Sequence, residues 1–302
     1  MSHLHFPINT VSELSTLLSM PIRDLWRLAK NTDKSYFTWK EPKSSGGFRS
    51  LCTPDSRLKE VQKKLHKLVF SKIIHSRFSH YGLKKKSNVT NASEHYGNDV
   101  IFAFDLKSFF PSIRPERVRK ALIDEVGCPA PLASLITKLV TLNYQLPQGA
   151  PTSTDIANIV TFRLQRRLYS LAKQWGIKKF TIYADDITFS GNNIPHGFMK
   201  LAKKVVREEG YKIHPEKGGV FDKSGNQIIT GINITHGLTV GKMNKIWRAE
   251  RHQNFLQYLK GQLPTTEFDS SEKRFNSRIV YSNFIKKSGL KVADNYLSSA
   301  YK

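Results

Sequence analysis

The sequence predicts an α+β domain in which a small antiparallel sheet is covered on one face by helices. Two observations carry that expectation. Short apolar runs, Val100 to Leu106 and Phe180 to Phe189, are interleaved with longer segments whose apolar residues recur at helical spacing. The second run holds Tyr183-Ala184-Asp185-Asp186 between alternating apolar positions, so it reads as two strands meeting at a tight bend. A third observation divides the chain. From about His236 β-branched runs become few and Lys and Arg many, which sets a basic helical unit at 236–302 apart from residues 1–235.

The elements follow in order. Leu58, Val61, Leu65, Leu68, Val69 and Ile73 share one helical face, with Lys59, Lys63, Lys64 and Lys67 mostly on the other. That basic face is either an ordinary solvated surface or a contact for phosphates. Next comes the strand from Val100 to Leu106, which carries Asp105 near its end. Pro115 suits the first turn of a helix bearing Val118, Leu122 and Val126, and Gly127 stops it. A second apolar helix runs from Leu132 to Leu142. Two prolines and a glycine make Gln145 to Pro151 a loop. One helix is expected from about Ser153 to Leu171, then the carboxylate hairpin. Phe198, Leu201, Ala202, Val205 and Val206 form a further helical stripe ended by Gly210. Ile228 to Ile234 is β-branched and reads as a strand.

Charge is the outstanding bulk property. Among 302 residues, 48 Lys and Arg face 24 Asp and Glu, a formal net charge of +24. Such an excess destabilises the compact state by self-repulsion unless a polyanion neutralises it, which points to nucleic acid. The basic residues are spread along the whole length, as for a binding channel and not a disordered arm. An anionic membrane surface is the weaker competitor. No apolar run reaches the roughly eighteen residues of a spanning helix, and the opening Met-Ser-His-Leu-His has no signal-peptide pattern. Cys52 and Cys128 lie far apart and fit neither a disulfide framework nor a zinc site. They read as buried thiols of a cytoplasmic protein. The ten histidines show no metal-ligand pairing.

Two adjacent carboxylates at a hairpin tip are unfavourable without compensation. Unit charges about 4 Å apart repel by roughly 4 kcal/mol at an effective dielectric near 20. Either they point to bulk water or divalent cations sit between them. With Asp105 on another strand end, three acids that can converge suggest a two-metal site for phosphoryl transfer.

Four segments, Phe104 to Phe110, Leu146 to Pro151, Tyr183 to Asp186 and Gly210 to Lys217, stand in the order and spacing of reverse transcriptases. The resemblance covers roughly residues 45–235. Asn91-Ala-Ser-Glu-His95 and Ile229-Thr230-Gly231 resemble two marks of the retron branch, with Ile in place of Val in the second. Telomerases and intron-encoded enzymes carry further domains for which this chain has no room. The resemblance implies a right-hand polymerase: fingers, a palm built on the antiparallel sheet, and a small helical thumb at 236–302. It implies RNA-directed DNA synthesis with two Mg²⁺ ions, for which Mn²⁺ can substitute, and deoxynucleoside triphosphates as substrates.

It also implies roles for particular residues. Asp105 and Asp185 would bridge the metals and Asp186 would complete the cluster, with the Leu106 carbonyl as an extra oxygen ligand. Phe110 resembles the steric gate beneath the nucleotide sugar, while Phe109 reads as core. Gln148 and Gly149 resemble the loop against the incoming nucleotide. Arg49 resembles the fingers arginine that clamps the triphosphate, with Lys43 assisting. Lys217 either protonates the leaving pyrophosphate or is one more surface charge. Asn91 and His95 read locally as a loop closing turns; the resemblance implies that they, Thr230 and Gly231 contact the enzyme's own structured RNA. Lys242, Lys245, Arg248 and Arg251 recur at near-helical spacing and could track an RNA backbone. Trp247 either stacks a base or fills the core.

For the whole protein, the retron resemblance implies a dedicated noncoding RNA as template and primer, and synthesis from an internal 2′-hydroxyl to give branched RNA–DNA. It further implies a part in antiphage defence beside an effector protein. No RNase H domain is evident, so a host enzyme would remove copied template. Two rivals stand beside this reading: a stand-alone or intron-type reverse transcriptase, and a non-catalytic RNA-binding protein on a polymerase scaffold.

Overall fold

The structure, a computed structural model, describes residues 6–42, 47–240 and 243–300, the last stretch with side chains from 246 to 289. Its centre is a four-stranded antiparallel sheet. The strands are β3 (Val100–Leu106), β4 (Lys179–Tyr183), β5 (Asp186–Gly191) and β6 (Ile213–Asp222), in the order β4-β5-β3-β6. Two smaller antiparallel pairs flank it: β1 (Tyr36–Pro42) with β2 (Phe48–Pro54), and β7 (Ile228–Ile229) with β8 (Ile232–Asn233).

Helices α1 (Val11–Leu18), α2 (Ile22–Lys30), α3 (Ser56–Leu68), α4 (Asn88–Ser93), α5 (Phe109–Ser112), α6 (Pro115–Asp124), α7 (Ala130–Val140), α8 (Ser153–Val160), α9 (Phe162–Gln174) and α10 (His196–Glu208) accompany the sheets. The chain then enters α11 (Met243–Leu259) and α12 (Thr265–Ala300), which pack on each other. Local chemistry marks many of these ends. Thr10 and Asp55 accept from backbone N–H groups as N-caps of α1 and α3, and Pro115 opens α6, where its missing donor costs nothing.

Alternation along β3 divides the interior in two. Phe102, Phe104 and Leu106 enter the main core with Phe180, Ile187, Phe189 and Phe198. Ile101 and Ala103 face a second cluster made by Val89, Ala92, Ile229, Ile232, Ile234, Leu238, Val240 and Ile285. The sheet is therefore covered on both faces, which corrects the expectation of one covered face. The second layer comes from α4, the β7–β8 hairpin and α12, whose contribution leaves no periodic signal near the strands. Each fully buried Phe in these clusters is worth about 2–3 kcal/mol.

Three further expectations are corrected. The helix expected over 153–171 is broken at Thr161, whose hydroxyl donates back to the carbonyls of Ala157 and Asn158 at 3.0 and 2.9 Å. Such back-bonding bends a helix, and here it separates α8 from α9. The run from Ile228 to Ile234 is a hairpin and not one strand: Thr230 and Gly231 form its turn, both at positive φ (46° and 80°). The 91–95 box is a loop only at its end, since residues 91–93 are helical. Asn91 lies in α4, which starts from a capping box between Ser87 and Thr90, and His95 lies in the turn just past its C-cap, Glu94.

Candidate active site

The hairpin turn is stitched to the end of β3. Asp105 stands opposite Asp186 in the strand register, and the Leu106 N–H donates to the Asp185 carbonyl at 2.9 Å. Ala184, first residue of the turn, holds φ 55°, a left-handed conformation costing an L-residue roughly 1–2 kcal/mol. On the other side of β3, the pairing with β6 shifts register between Phe104 and Leu106. Such bulges re-aim side chains, and this one falls at Asp105. Gly218 makes it possible: at φ 92°, a Cβ there would sit 2.2 Å from the Ala103 carbonyl oxygen.

The structure thus brings Asp105, Asp185 and Asp186 together and adds Lys217, whose Nζ lies 3.2 Å from Asp105 Oδ2. Asp186 is half-buried, and its pKa is pushed up to about 8. Burial is the largest cause; the hydrogen bond with Asp105 and the negative charges of Asp105 and Asp185 add to it, while Lys217 opposes. The Lys217 ammonium is in turn held above its usual range, chiefly by its hydrogen bond to Asp105.

This electrostatic strain has a measurable sign. A carboxyl whose folded pKa is raised keeps a proton that the unfolded chain gives up, so its stabilising share is lost as pH climbs through the folded value. Asp155, raised to about 6 by burial, finishes that loss earlier, and His80 and His95, lowered to about 4 and about 3, act only below the usual histidine range. Between about pH 6 and 8 Asp186 is the group among these that holds a proton in the folded chain and not in the unfolded one. In EDTA the melting temperature is expected to fall across that window, and Asp186→Asn to flatten the fall. An identical slope in wild type and variant would refute the assignment.

The donor set suits a hard divalent cation in type, since carboxylates and a backbone carbonyl are oxygen ligands. The raised Asp186 pKa and the ammonium beside Asp105 both mark a concentration of negative charge at this end of the sheet. Yet among the described residues no group of three or more His, Cys, Asp or Glu forms a ready metal cage.

Around the acids, Phe110 is 9% exposed on the short helix α5, with Phe109 beneath it at 3%. The Phe110 ring meets Phe109 at 5.5 Å and Tyr81 edge-on at 6.3 Å, and Tyr81 meets Tyr183 of the carboxylate hairpin at 5.3 Å. Gln148 and Gly149 lie against β2: the Cys52 N–H donates to the Gln148 carbonyl at 2.7 Å. A Cβ on Gly149, which holds φ 110°, would approach the Cys52 carbonyl to 2.6 Å. The loop is thereby tied to the β1–β2 hairpin that carries Arg49. Arg49 is exposed and pairs with Glu41 at 3.1 Å, and Lys43 lies outside the described residues.

The residues expected to contact RNA divide. Asn91 and His95 are 0% exposed, so neither offers a surface to a nucleic acid, and their expected direct contact is corrected. His95 is clamped between the hydroxyls of Ser190 and Thr181, each at 2.7 Å, and burial above all pushes its pKa down to about 3, so it stays neutral. The Asn91 amide donates to the Thr230 hydroxyl at 3.5 Å, and Gly231 is exposed at the turn. Lys242 and the side chain of Lys245 lie outside the described residues. Arg248 is exposed and lines a groove of about 620 Å³ with Arg251, His252, Phe255, Phe275 and Ile279. Trp247 packs against the second cluster beneath Arg278. Sequence reasoning missed Tyr81, which links Phe110 to the hairpin, and Asn88 and Tyr281, which meet across the fold at 2.5 Å. Asn88 was discoverable in part, lying one helical turn before Asn91.

A carboxylate cluster on paired antiparallel strands in a strongly basic chain defines the class of nucleic-acid polymerases, and residues 41–234 match the family of reverse transcriptases, or RNA-dependent DNA polymerases. The chain belongs to that family and is of the retron type. It is 37% identical over 242 residues to the retron Mx65 reverse transcriptase of Myxococcus xanthus, covering 73% of this chain and 56% of that protein. Against the retron Mx162 reverse transcriptase of the same organism it is 32% identical, covering 68% of this chain and 48% of that one. Against the retron Ec86 reverse transcriptase of Escherichia coli it is 27% identical, covering 84% and 81%. The chain thus spans about half the length of the two Myxococcus relatives. Among the described residues no helix is long and apolar enough to cross a membrane.

Proposed function

We propose that this chain is the RNA-directed DNA polymerase of a bacterial retron, acting in the cytoplasm. The observation that carries the reading is the register that sets Asp105 opposite Asp186, with the Asp185 turn bonded to the end of β3. In this reading the four-stranded sheet is the palm, β1–β2 with its neighbouring helices the fingers, and α11–α12 the thumb.

Asp105, Asp185 and Asp186, with the Leu106 carbonyl, would hold two divalent cations, Mg²⁺ or Mn²⁺. When bound there, these ions would supply Lewis acidity for the primer hydroxyl and charge neutralisation for the triphosphate. The residues of the chain do the rest. Arg49 leaves Glu41 for two phosphate oxygens, an exchange of one exposed acidic partner for a more highly charged one. Gln148 and Gly149 bring a closely approached backbone to the nucleotide. Phe110 occupies the volume beneath its sugar. Lys217, displaced from Asp105, is positioned to hand a proton to the departing pyrophosphate.

The template is a dedicated structured noncoding RNA, primed from an internal 2′-hydroxyl to give branched RNA–DNA. The system serves antiphage defence with an effector protein. Exposed cationic residues such as Arg248 support binding of that RNA. Sequencing the nucleic acid that copurifies with the protein tests the reading: a covalently joined RNA–DNA species is expected. Nucleic acid without such a junction, together with no extension of a primed RNA template, would refute it.

A further inference from the structure

We propose that Asn88, Thr230 and Tyr281 form a positioning latch that fixes the angle of the thumb on the palm and so sets how many nucleotides are added per binding event. The proposal rests on the polymerase reading above. It arises because the Thr230 turn bonds to α4, and Asn88 at the start of α4 bonds onward to α12. The Asn88 amide donates to the Tyr281 hydroxyl at 2.5 Å and to the Thr230 carbonyl at 3.3 Å. The Thr230 hydroxyl returns a bond to the Asn88 carbonyl at 3.2 Å. Thr230 holds φ 46°, a left-handed conformation that a β-branched residue adopts only where surroundings enforce it.

The apolar seat beneath this ring is narrow. Tyr281, Ile285 and Gly289 succeed one another at single-turn spacing along α12. Ile285 is fully buried in the second cluster, and a Cβ on Gly289 would lie 3.1 Å from Leu238 Cβ. From this seat α12 runs outward as a lever. Thr265 lies about 24 Å from Tyr281 at 1.5 Å per residue, so a tilt of roughly 10° moves that end by about 4 Å. Such a displacement exceeds the tolerance of a hydrogen bond to a phosphate. The groove lined by Arg248 and Arg251 rides on the same helical pair.

Tyr281→Phe keeps the ring and removes the hydroxyl; Thr230→Ala removes the second contact and Thr230→Ser restores it. With a heparin trap, the first two variants are expected to shorten the DNA made per binding event by about three- to tenfold, the worth of one or two hydrogen bonds. First-nucleotide addition stays within about twofold, and Thr230→Ser behaves as wild type. Unchanged product length, or an equal fall in both steps, overturns the latch. A wild type that extends nothing refutes the polymerase reading instead. The latch then stands on spin labels at Asp269→Cys and Glu116→Cys, both exposed positions. Tyr281→Phe should broaden their distance distribution, and an unaltered distribution overturns the proposal.

Discussion

Asp185→Asn is expected to lower template-directed DNA synthesis by about a thousandfold while RNA affinity stays within about twofold. The substitution keeps the volume of the side chain and removes one unit of negative charge. The backbone of Asp185 already accepts from Leu106, so the turn has reason to keep its shape. What is lost is an anionic oxygen facing the divalent cations of the proposed mechanism. Metal charge stabilisation of a phosphoryl transition state amounts to several kcal/mol, and about 4 kcal/mol corresponds to the thousandfold stated. The same change relieves repulsion, since Asp185 is one of the charges that raise the Asp186 pKa. Stability is therefore expected to rise as activity falls, the pattern of a site whose strain serves its chemistry. Primer extension and thermal melting of the same preparation measure both. Undiminished synthesis by the variant would remove Asp185 from the reaction, and a lower melting temperature would contradict the electrostatic account.

The carboxylate hairpin was legible because local and global signals agree there. Alternation gives the strands, and the paired acids mark the bend between them. What stayed hidden depends on partners far along the chain. Asn91 and His95 sit in a polar stretch whose local reading is a loop, yet Asn91 is buried where the β7–β8 hairpin and α12 pack on α4, and His95 where it bonds Thr181 of β4 and Ser190 of β5. No periodicity within residues 88–95 could announce a helix of the C-terminal unit arriving from beyond residue 265. The break at Thr161 was invisible for another reason: it comes from one hydroxyl choosing a carbonyl in the preceding turn. The turn at Thr230-Gly231 did carry a signal, the glycine, which the three flanking isoleucines outweighed. The bulge at Asp105 becomes readable only with β6 in register, where Gly218 meets Ala103.

Phe110→Val is expected to raise use of ribonucleotides relative to deoxynucleotides by roughly a hundredfold. The reasoning starts from confinement. With 9% of its surface exposed, the ring is wedged between Phe109 and Tyr81 and cannot swing aside to admit a larger sugar. Rejection by overlap requires such rigidity, because a mobile side chain would yield at little cost. Tyr81 in turn contacts Tyr183, so the gate is braced against the hairpin that bears the acids. Replacing the ring with valine leaves space for one hydroxyl, and the expected loss of discrimination matches what an apolar site achieves against a single added hydroxyl. The cavity costs about 1–3 kcal/mol of stability, so the variant must be compared with one that loses stability alone. Phe109→Val serves: its ring is more deeply buried, and it should weaken the fold without altering the sugar preference. The ratio of kcat/KM for each nucleotide pair in primer extension is the quantity to measure. If Phe110→Val leaves that ratio where Phe109→Val leaves it, the aromatic ring is part of the core and the selection of sugar lies elsewhere.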